Sequence, residues 1–316
     1  MTRAIDALYV RYQVTDLAVM EAFLHDFGMV PAVVPDGDSH GRRLYMRGTG
    51  EAPFLYEAVL GETNRFLGAG FSVGSARDLE RLAALPGSGP VEPVHGVPGG
   101  GARVRMRMPD GFEIDAVHGA VPALPLATRE AIAFNTARAK PRVNTAVRTA
   151  RQALPVKRLG HFVLHVSDHA ASVAWLQARF GLLASDYLAT PDAPAQPIGT
   201  FLRVDHGDAL VDHHCMLVLG TDRPGVHHCS FEVEDIDAVM AAHDFLLERG
   251  YTLDCGVGRH LLGSQIFDYW GDPFGFRIEH YTDGDVVNAA HRASIFAGTA
   301  DQTTQWGAKP PKDFFE

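Results

Sequence analysis

Hydrophobic and polar residues alternate over AIDALYVRYQV from residue 4 and again over RLGHFVLHV from residue 158, the period-two pattern of a half-buried strand. Each run leads to an Asp or Thr suited to a helix N-cap, an amphipathic stretch and a Phe-Gly close. In the first stretch Leu17, Met20, Phe23, Leu24 and Phe27 fall on one helical face; in the second Val173, Leu176, Gln177 and Phe180 do so less cleanly. A second pair follows, FLGAGFSVGSARDLERLAAL from residue 66 and GVHHCSFEVEDIDAVMAAHDFLLERG from residue 225. Each reads as strand, cap and helix, and each closes further on with a glycine turn and a last strand, MPDGFEIDAV and GDPFGFRIEHY. The chain therefore predicts an α+β fold of four βαβββ modules, two per half.

The expected divisions are a first domain over 1–120, a connector over 121–157, a second domain over 158–287 and a tail over 288–316 that packs on it. The connector, rich in Ala, Pro and Arg, carries a candidate helix from Thr128 to Ala137.

A chain of 316 residues fits two such domains. Charged residues make up 21% and the formal net charge is −10, which disfavours a nucleic-acid or anionic-membrane partner and favours a small molecule. No apolar run approaches the ~20 residues of a membrane span, and MTRAIDALYV lacks a tripartite signal, so a cytoplasmic location is expected. Cys215, Cys229 and Cys255 are odd in number and lack CxxC spacing, which predicts free thiols rather than disulfides or a thiolate zinc site.

Twelve of the 16 histidines follow residue 160. Three segments there each carry a residue able to bind a divalent metal: RLGHFVLHV at His161, GVHHCSFEV at His228 and FGFRIEHY at Glu279. Two imidazoles and a carboxylate suit a facial site with open positions, the arrangement of non-haem Fe(II) oxygenases. Singly, each has a mundane reading as a core or surface residue. Placement on corresponding strands of a repeated unit sets the three apart.

These residues give the second half a resemblance to the catalytic domain of type I extradiol catechol dioxygenases, of the 2,3-dihydroxybiphenyl 1,2-dioxygenase and catechol 2,3-dioxygenase kind, in the vicinal oxygen chelate superfamily. The resemblance implies glyoxalase-like domains, each an open mixed β-barrel with helices outside. It implies His161, His228 and Glu279 as ligands of Fe(II), with Mn(II) the alternative. It extends to His214 in DHHCMLVL and to His260 and Tyr269 in GRHLLGSQIFDYWGDPFGFRIE. The implied roles are proton transfer beside dioxygen for His214 and stabilisation of a bound catecholate by His260 and Tyr269. His165, His213, His227 and His280 match no template and are read as structural or outer-shell residues.

In the first half the counterparts of the three ligands are about Tyr9, Gly68 and Asp115, so that half is expected to hold no iron and to serve structure or oligomerisation, as part of a homo-oligomer. The expected reaction is extradiol cleavage of a catechol by O2 to a muconic semialdehyde-type product in aromatic catabolism. Rivals on the same fold are a non-oxidative glyoxalase-like isomerase or lyase, thiol transfer to an epoxide, a 4-hydroxyphenylpyruvate dioxygenase, and a metal-free drug-binding protein of the bleomycin-resistance kind. Which catechol is cleaved stays open. The pocket walls are expected from 187–200, 261–264 and 281–288.

Overall fold

A computed structural model of the chain describes residues 2–35, 41–311 and 314–315. The first half runs β1 (Ala4–Val14), α1 (Leu17–Asp26), β2 (Val30–Pro31), β3 (Arg43–Arg47), β4 (Tyr56–Leu60), then β5 (Arg65–Val73), α2 (Ala76–Ala83), β6 (Ser88–Pro93), β7 (Ala102–Arg107) and β8 (Glu113–His118). The second runs β9 (Val156–Val166), α3 (His169–Phe180), β10 (Leu183–Ala189), β11 (Pro197–Arg203), β12 (Val211–Asp212), β13 (Met216–Gly220), then β14 (Gly225–Val233), α4 (Ile236–Glu248), β15 (Thr252–His260), β16 (Ile266–Gly271) and β17 (Arg277–Thr282). After it come β18 (Val286–Val287), β19 (Ser294–Ala297) and β20 (Thr304–Gly307). Four βαβββ units are thus present, two in each half. None of the described helices is long and apolar enough to cross a membrane.

The helices start where the sequence says they should. Asp16, Ser75, Asp168 and Asp235 cap α1 to α4 through side-chain oxygens that accept first-turn N–H groups, each such cap contributing about 1 kcal/mol. Gly181 closes α3 in the left-handed region at φ 64°.

Each half forms one open mixed sheet: an 8-stranded one ordered β2-β3-β4-β1-β5-β8-β7-β6 and a 10-stranded one ordered β19-β10-β11-β13-β9-β14-β17-β16-β15-β20. At the centre of each, the first strands of two units pair antiparallel (β1 with β5, β9 with β14), flanked by parallel partners (β4 and β8, β13 and β17). Tail strands β19 and β20 extend the edges of the second sheet.

The alternation read from the sequence sorts side chains onto two faces. In β9, Phe162, Leu164 and Val166 enter a core shared by both halves, whereas Val163 joins a separate cluster with Leu188, Phe201, Leu217 and Leu219. The shared core ties the halves together: Phe71 packs on Phe162 and Phe180 (ring centroids 5.7 and 4.9 Å) and Tyr12 on Phe276 (4.7 Å). His280 stacks on Phe27 at 3.6 Å and reaches the Phe27 carbonyl at 2.7 Å.

Burial holds the His280 pKa down to about 4 from the ordinary 6.5, the Phe27 carbonyl offsetting only part of it. The folded pKa lies below the unfolded one. Between pH 6.5 and 4 the unfolded chain therefore binds a proton that the folded chain refuses, and stability falls as pH drops, by up to about 1.4 kcal/mol per pH unit from this residue. Urea midpoints measured from pH 7 to pH 5 should decline, and less steeply in a His280→Gln variant. An equal slope in the two proteins contradicts this assignment.

The predicted helix at Thr128–Ala137 does not form: residues 119–155 carry no helix or strand. An isolated ten-residue helix is marginal without a surface for its apolar face, and here Phe134 is left about half exposed. The segment is held instead by Arg129, which pairs with the α4 cap Asp235 at 2.5 Å. Cys215, Cys229 and Cys255 are free and buried.

Candidate metal centre

The three predicted ligands converge on the face of the second sheet opposite the shared core. His161 lies on β9 across from Ser230 of β14, and Ser230 lies beside Glu279 of the parallel strand β17; His228 sits two residues before Ser230. Strand pairing thus brings together residues more than 100 positions apart. The His161 and His228 Nε2 atoms are 3.2 Å apart, and each faces Glu279 Oε2, at 3.2 and 3.4 Å. Donors about 2.1 Å from one ion at 90–110° stand about 3.0–3.4 Å from each other, so the spacing suits a single cation.

All three side chains are buried. Neither carboxylate oxygen of Glu279 has an aligned hydrogen-bond donor, an unusual condition for a carboxylate with no exposed surface. Burial pushes its pKa up, but the imidazoles of His161, His228 and His260 outweigh this and hold it well below the usual range. Burial holds His228 down to about 4 against the pull of Glu279. At neutral pH Glu279 is therefore an anion and His228 is neutral, the protonation states a divalent metal requires.

The other predicted residues surround this trio. The His214 ring lies 4.3 Å from that of His161, and burial, with His161 and His213 adding to it, drives its pKa well below 6.5. His260 Nε2 meets the Tyr269 hydroxyl at 2.9 Å and stands 3.5 Å from Glu279 Oε1. A cavity opens among His161, His228, His214, His260 and Tyr269, with apolar walls that include Phe201 and Leu217. Of the expected wall segments, 187–200 supplies Leu188 and 261–264 supplies Leu262, but 281–288 supplies none of the lining. The tail contributes Thr303, Phe314 and Phe315 in its place, and β20, which follows Thr303, pairs with β15.

One further histidine, His227, acquires partners that the sequence did not disclose. His227 Nδ1 faces His228 Nδ1 at 2.5 Å, and its Nε2 reaches the Phe314 carbonyl at 2.6 Å. Successive strand residues ordinarily point to opposite faces, but the β9–β14 register shifts between Val226 and His228, and such a bulge re-aims a side chain. A metal on His228 Nε2 would leave its Nδ1–H to donate to His227, whose Nε2–H would then meet the Phe314 carbonyl, with Arg277 Nη1 at 2.7 Å from the same nitrogen, and this would fix the ligand's orientation. The His-His doublet was the only available signal.

In the corresponding place of the first half the carboxylate is already paired. Tyr9 lies opposite Gly70, which lies beside Asp115, repeating the His161–Ser230–Glu279 register; Gly68 stands where His228 would. The Tyr9 hydroxyl donates to Asp115 Oδ2 at 2.9 Å and Arg105 Nε to Oδ1 at 2.8 Å. A Cβ at Gly68, whose φ is +151°, would fall 1.7 Å from the Glu113 carbonyl oxygen. Cationic side chains therefore stand around this carboxylate where the second half presents imidazoles to Glu279. Asp115→Ala should destabilise the protein by about 3–5 kcal/mol, as expected when one member of a buried charge cluster is removed, with the metal stoichiometry unchanged. A loss under 1 kcal/mol in urea titration would refute that role.

Residues 158–280 match the family described as the Glyoxalase/Bleomycin resistance protein/Dioxygenase superfamily, and the second half is a domain of that superfamily. Across 310 residues the chain is 28% identical to metapyrocatechase 2 of Cupriavidus necator, covering 96% of this chain and 88% of that protein. Its fold is similar to a Mn(II)-bound glyoxalase from Novosphingobium aromaticivorans (TM-score 0.80, 21% identity, 100% of this chain and 95% of that one). It is likewise similar to homoprotocatechuate 2,3-dioxygenase from Arthrobacter globiformis (TM-score 0.77, 20% identity, 99% and 91%).

Proposed function

We propose that the protein is an extradiol dioxygenase that opens a catechol-type ring beside its two hydroxyls, with both atoms of O2 entering a muconic semialdehyde-type product. The observation that carries this reading is the placement of His214, His260 and Tyr269 around one buried His-His-Glu trio. Fold alone does not select it, since a glyoxalase and a dioxygenase both share this architecture. Three protein donors clustered in one half would leave a cation with positions for substrate, and His214, His260 and Tyr269 line the same cavity as His161 and His228.

Fe(II) held by His161, His228 and Glu279 would supply the open coordination positions and the redox chemistry that lets a catechol react with dioxygen; Mn(II) suits the same donors. The chain's own groups do the rest. The Tyr269 hydroxyl and His260 present a polar pair on one side of the cavity, placed to hydrogen-bond an ionised catechol oxygen. His214 lies on the opposite side near His161, neutral through burial and able to accept or return a proton. Phe201, Leu217, Phe314 and Phe315 exclude water from the ring.

Purified protein reconstituted anaerobically with Fe(II), then given O2 and a panel of catechols, should consume about one O2 per catechol and form a visibly absorbing ring-fission product. Metal-loaded protein that turns over no catechol refutes the proposal. Parallel loading with Mn(II) decides between the metals.

A further inference from the structure

Behind His214, away from the cavity, lies a chain of buried side chains. The Nδ1 atoms of His214 and His213 are 3.0 Å apart, and His213 Nε2 is 2.8 Å from Asp186 Oδ2. The other carboxylate oxygen, Oδ1, accepts from both the backbone N–H and the hydroxyl of Ser294, each at 2.7 Å. Asp186, His213 and His214 are 7%, 3% and 4% exposed. Gly263 closes over the two rings: a Cβ there would lie 3.1 Å from His213 Nδ1 and 3.5 Å from His214 Cε1.

Hydrogen-bond polarity along this chain has one consistent direction. The Asp186 carboxylate can only accept, so His213 carries its proton on Nε2. Its Nδ1 is then a bare acceptor, and His214 must place its proton on Nδ1 to meet it. His214 Nε2 is left with a free lone pair, directed away from the chain. The alternative use of these residues is a second metal site, since the ligand atoms of Asp186, His213 and His291 lie within 4.8 Å of one another. Against it, Asp186 Oδ1 is filled by Ser294, and His291 Nε2 is engaged with the Ser185 carbonyl at 2.9 Å.

We infer that Asp186 and His213 are positioning residues that fix the tautomer of His214 so that its Nε2 enters the cavity as a hydrogen-bond acceptor. The inference assigns the ring nitrogens on geometry, and its catalytic meaning rests on the dioxygenase reading. An orienting carboxylate of this kind can be replaced by its amide with little change of shape, but the amide reverses the hydrogen-bond polarity. In Asp186→Asn, Ser294 N–H still needs an acceptor and holds the amide oxygen, so the amide NH2 points at His213 Nε2. That forces the His213 proton to Nδ1 and the His214 proton to Nε2.

The test is a long-range 1H–15N correlation spectrum of 15N-histidine protein loaded with Zn(II), assigned by comparison with a His214 variant. Wild type should show His214 protonated on Nδ1 and bare on Nε2; Asp186→Asn should show the reverse, with Zn(II) affinity unchanged within about threefold. In the Fe(II) enzyme kcat should fall about 100-fold with KM within about threefold, the size expected when a proton-transfer group is misdirected. Wild type with His214 protonated on Nε2 overturns the inference without any variant having to fold. So does an Asp186→Asn spectrum in which His214 is unchanged, or a second metal ion per chain that this variant loses. If Fe(II)-loaded wild type cleaves no catechol, the dioxygenase reading falls while the spectra still decide the tautomer.

Discussion

Glu279→Ala is expected to lose metal retention and to reduce turnover by at least about 10⁴-fold. The reason is electrostatic. Glu279 is the one anionic donor of the trio, has no exposed surface and is ionised at neutral pH despite its burial. Without it, a divalent cation would sit between two neutral imidazoles in an apolar cavity, where uncompensated charge is costly. The metal-free protein should respond less. There the surrounding imidazoles hold the carboxylate pKa down, so replacing it should lower stability in the presence of chelator, but by less than it lowers that of the loaded protein. Metal analysis after gel filtration, with urea titrations of metal-free and loaded protein, measures both. A Glu279→Ala protein that keeps one tightly held metal ion removes Glu279 from the ligand set.

His214→Phe should retain the metal and lose about 10²–10⁴-fold in kcat, the range general acid-base groups contribute. Phenylalanine preserves a planar ring in the place where His214 packs against Phe201 and His161 (centroids 4.9 and 4.3 Å). Both ring nitrogens disappear. Single-turnover kinetics at saturating catechol separate this from a binding defect, since an effect on proton transfer appears in kcat and one on substrate binding in KM. A variant with more than about a tenth of wild-type kcat would mean that no essential proton passes through this residue.

Much of the fold and the geometry of the trio was legible because local pattern and tertiary placement agree. Alternation in β9 placed Phe162 and Leu164 on one face and His161 and Val163 on the other, and the repeated unit put β9, β14 and β17 side by side. The repeat also gave the correct register for Tyr9, Gly68 and Asp115. The illegible parts depend on contacts that no local pattern encodes. Asp186 and Ser294 meet across 108 positions, and Phe314 reaches His227 across 87, through strands of four residues whose pairing has no periodic signature. The helix expected at Thr128–Ala137 failed for the converse reason. Its composition favours a helix, but that part of the connector has no apolar surface to lie on, and Arg129 serves the cap of α4.

The contact between the halves bears on the history of the chain. A duplicated unit whose copy has lost its metal donors would be free to decay if each copy stood alone. Here it is not free, because Phe27, Phe71 and Tyr12 of the first copy cover Phe162, Phe180, Phe276 and His280 of the second. Deleting the first half would lay bare the back of the very strands that bring the trio together. Selection on the chemistry of one copy thus preserves the other as a wall, and leaves to drift the face of the first sheet turned away from that contact, where buried Tyr9 and Asp115 stand with Arg105.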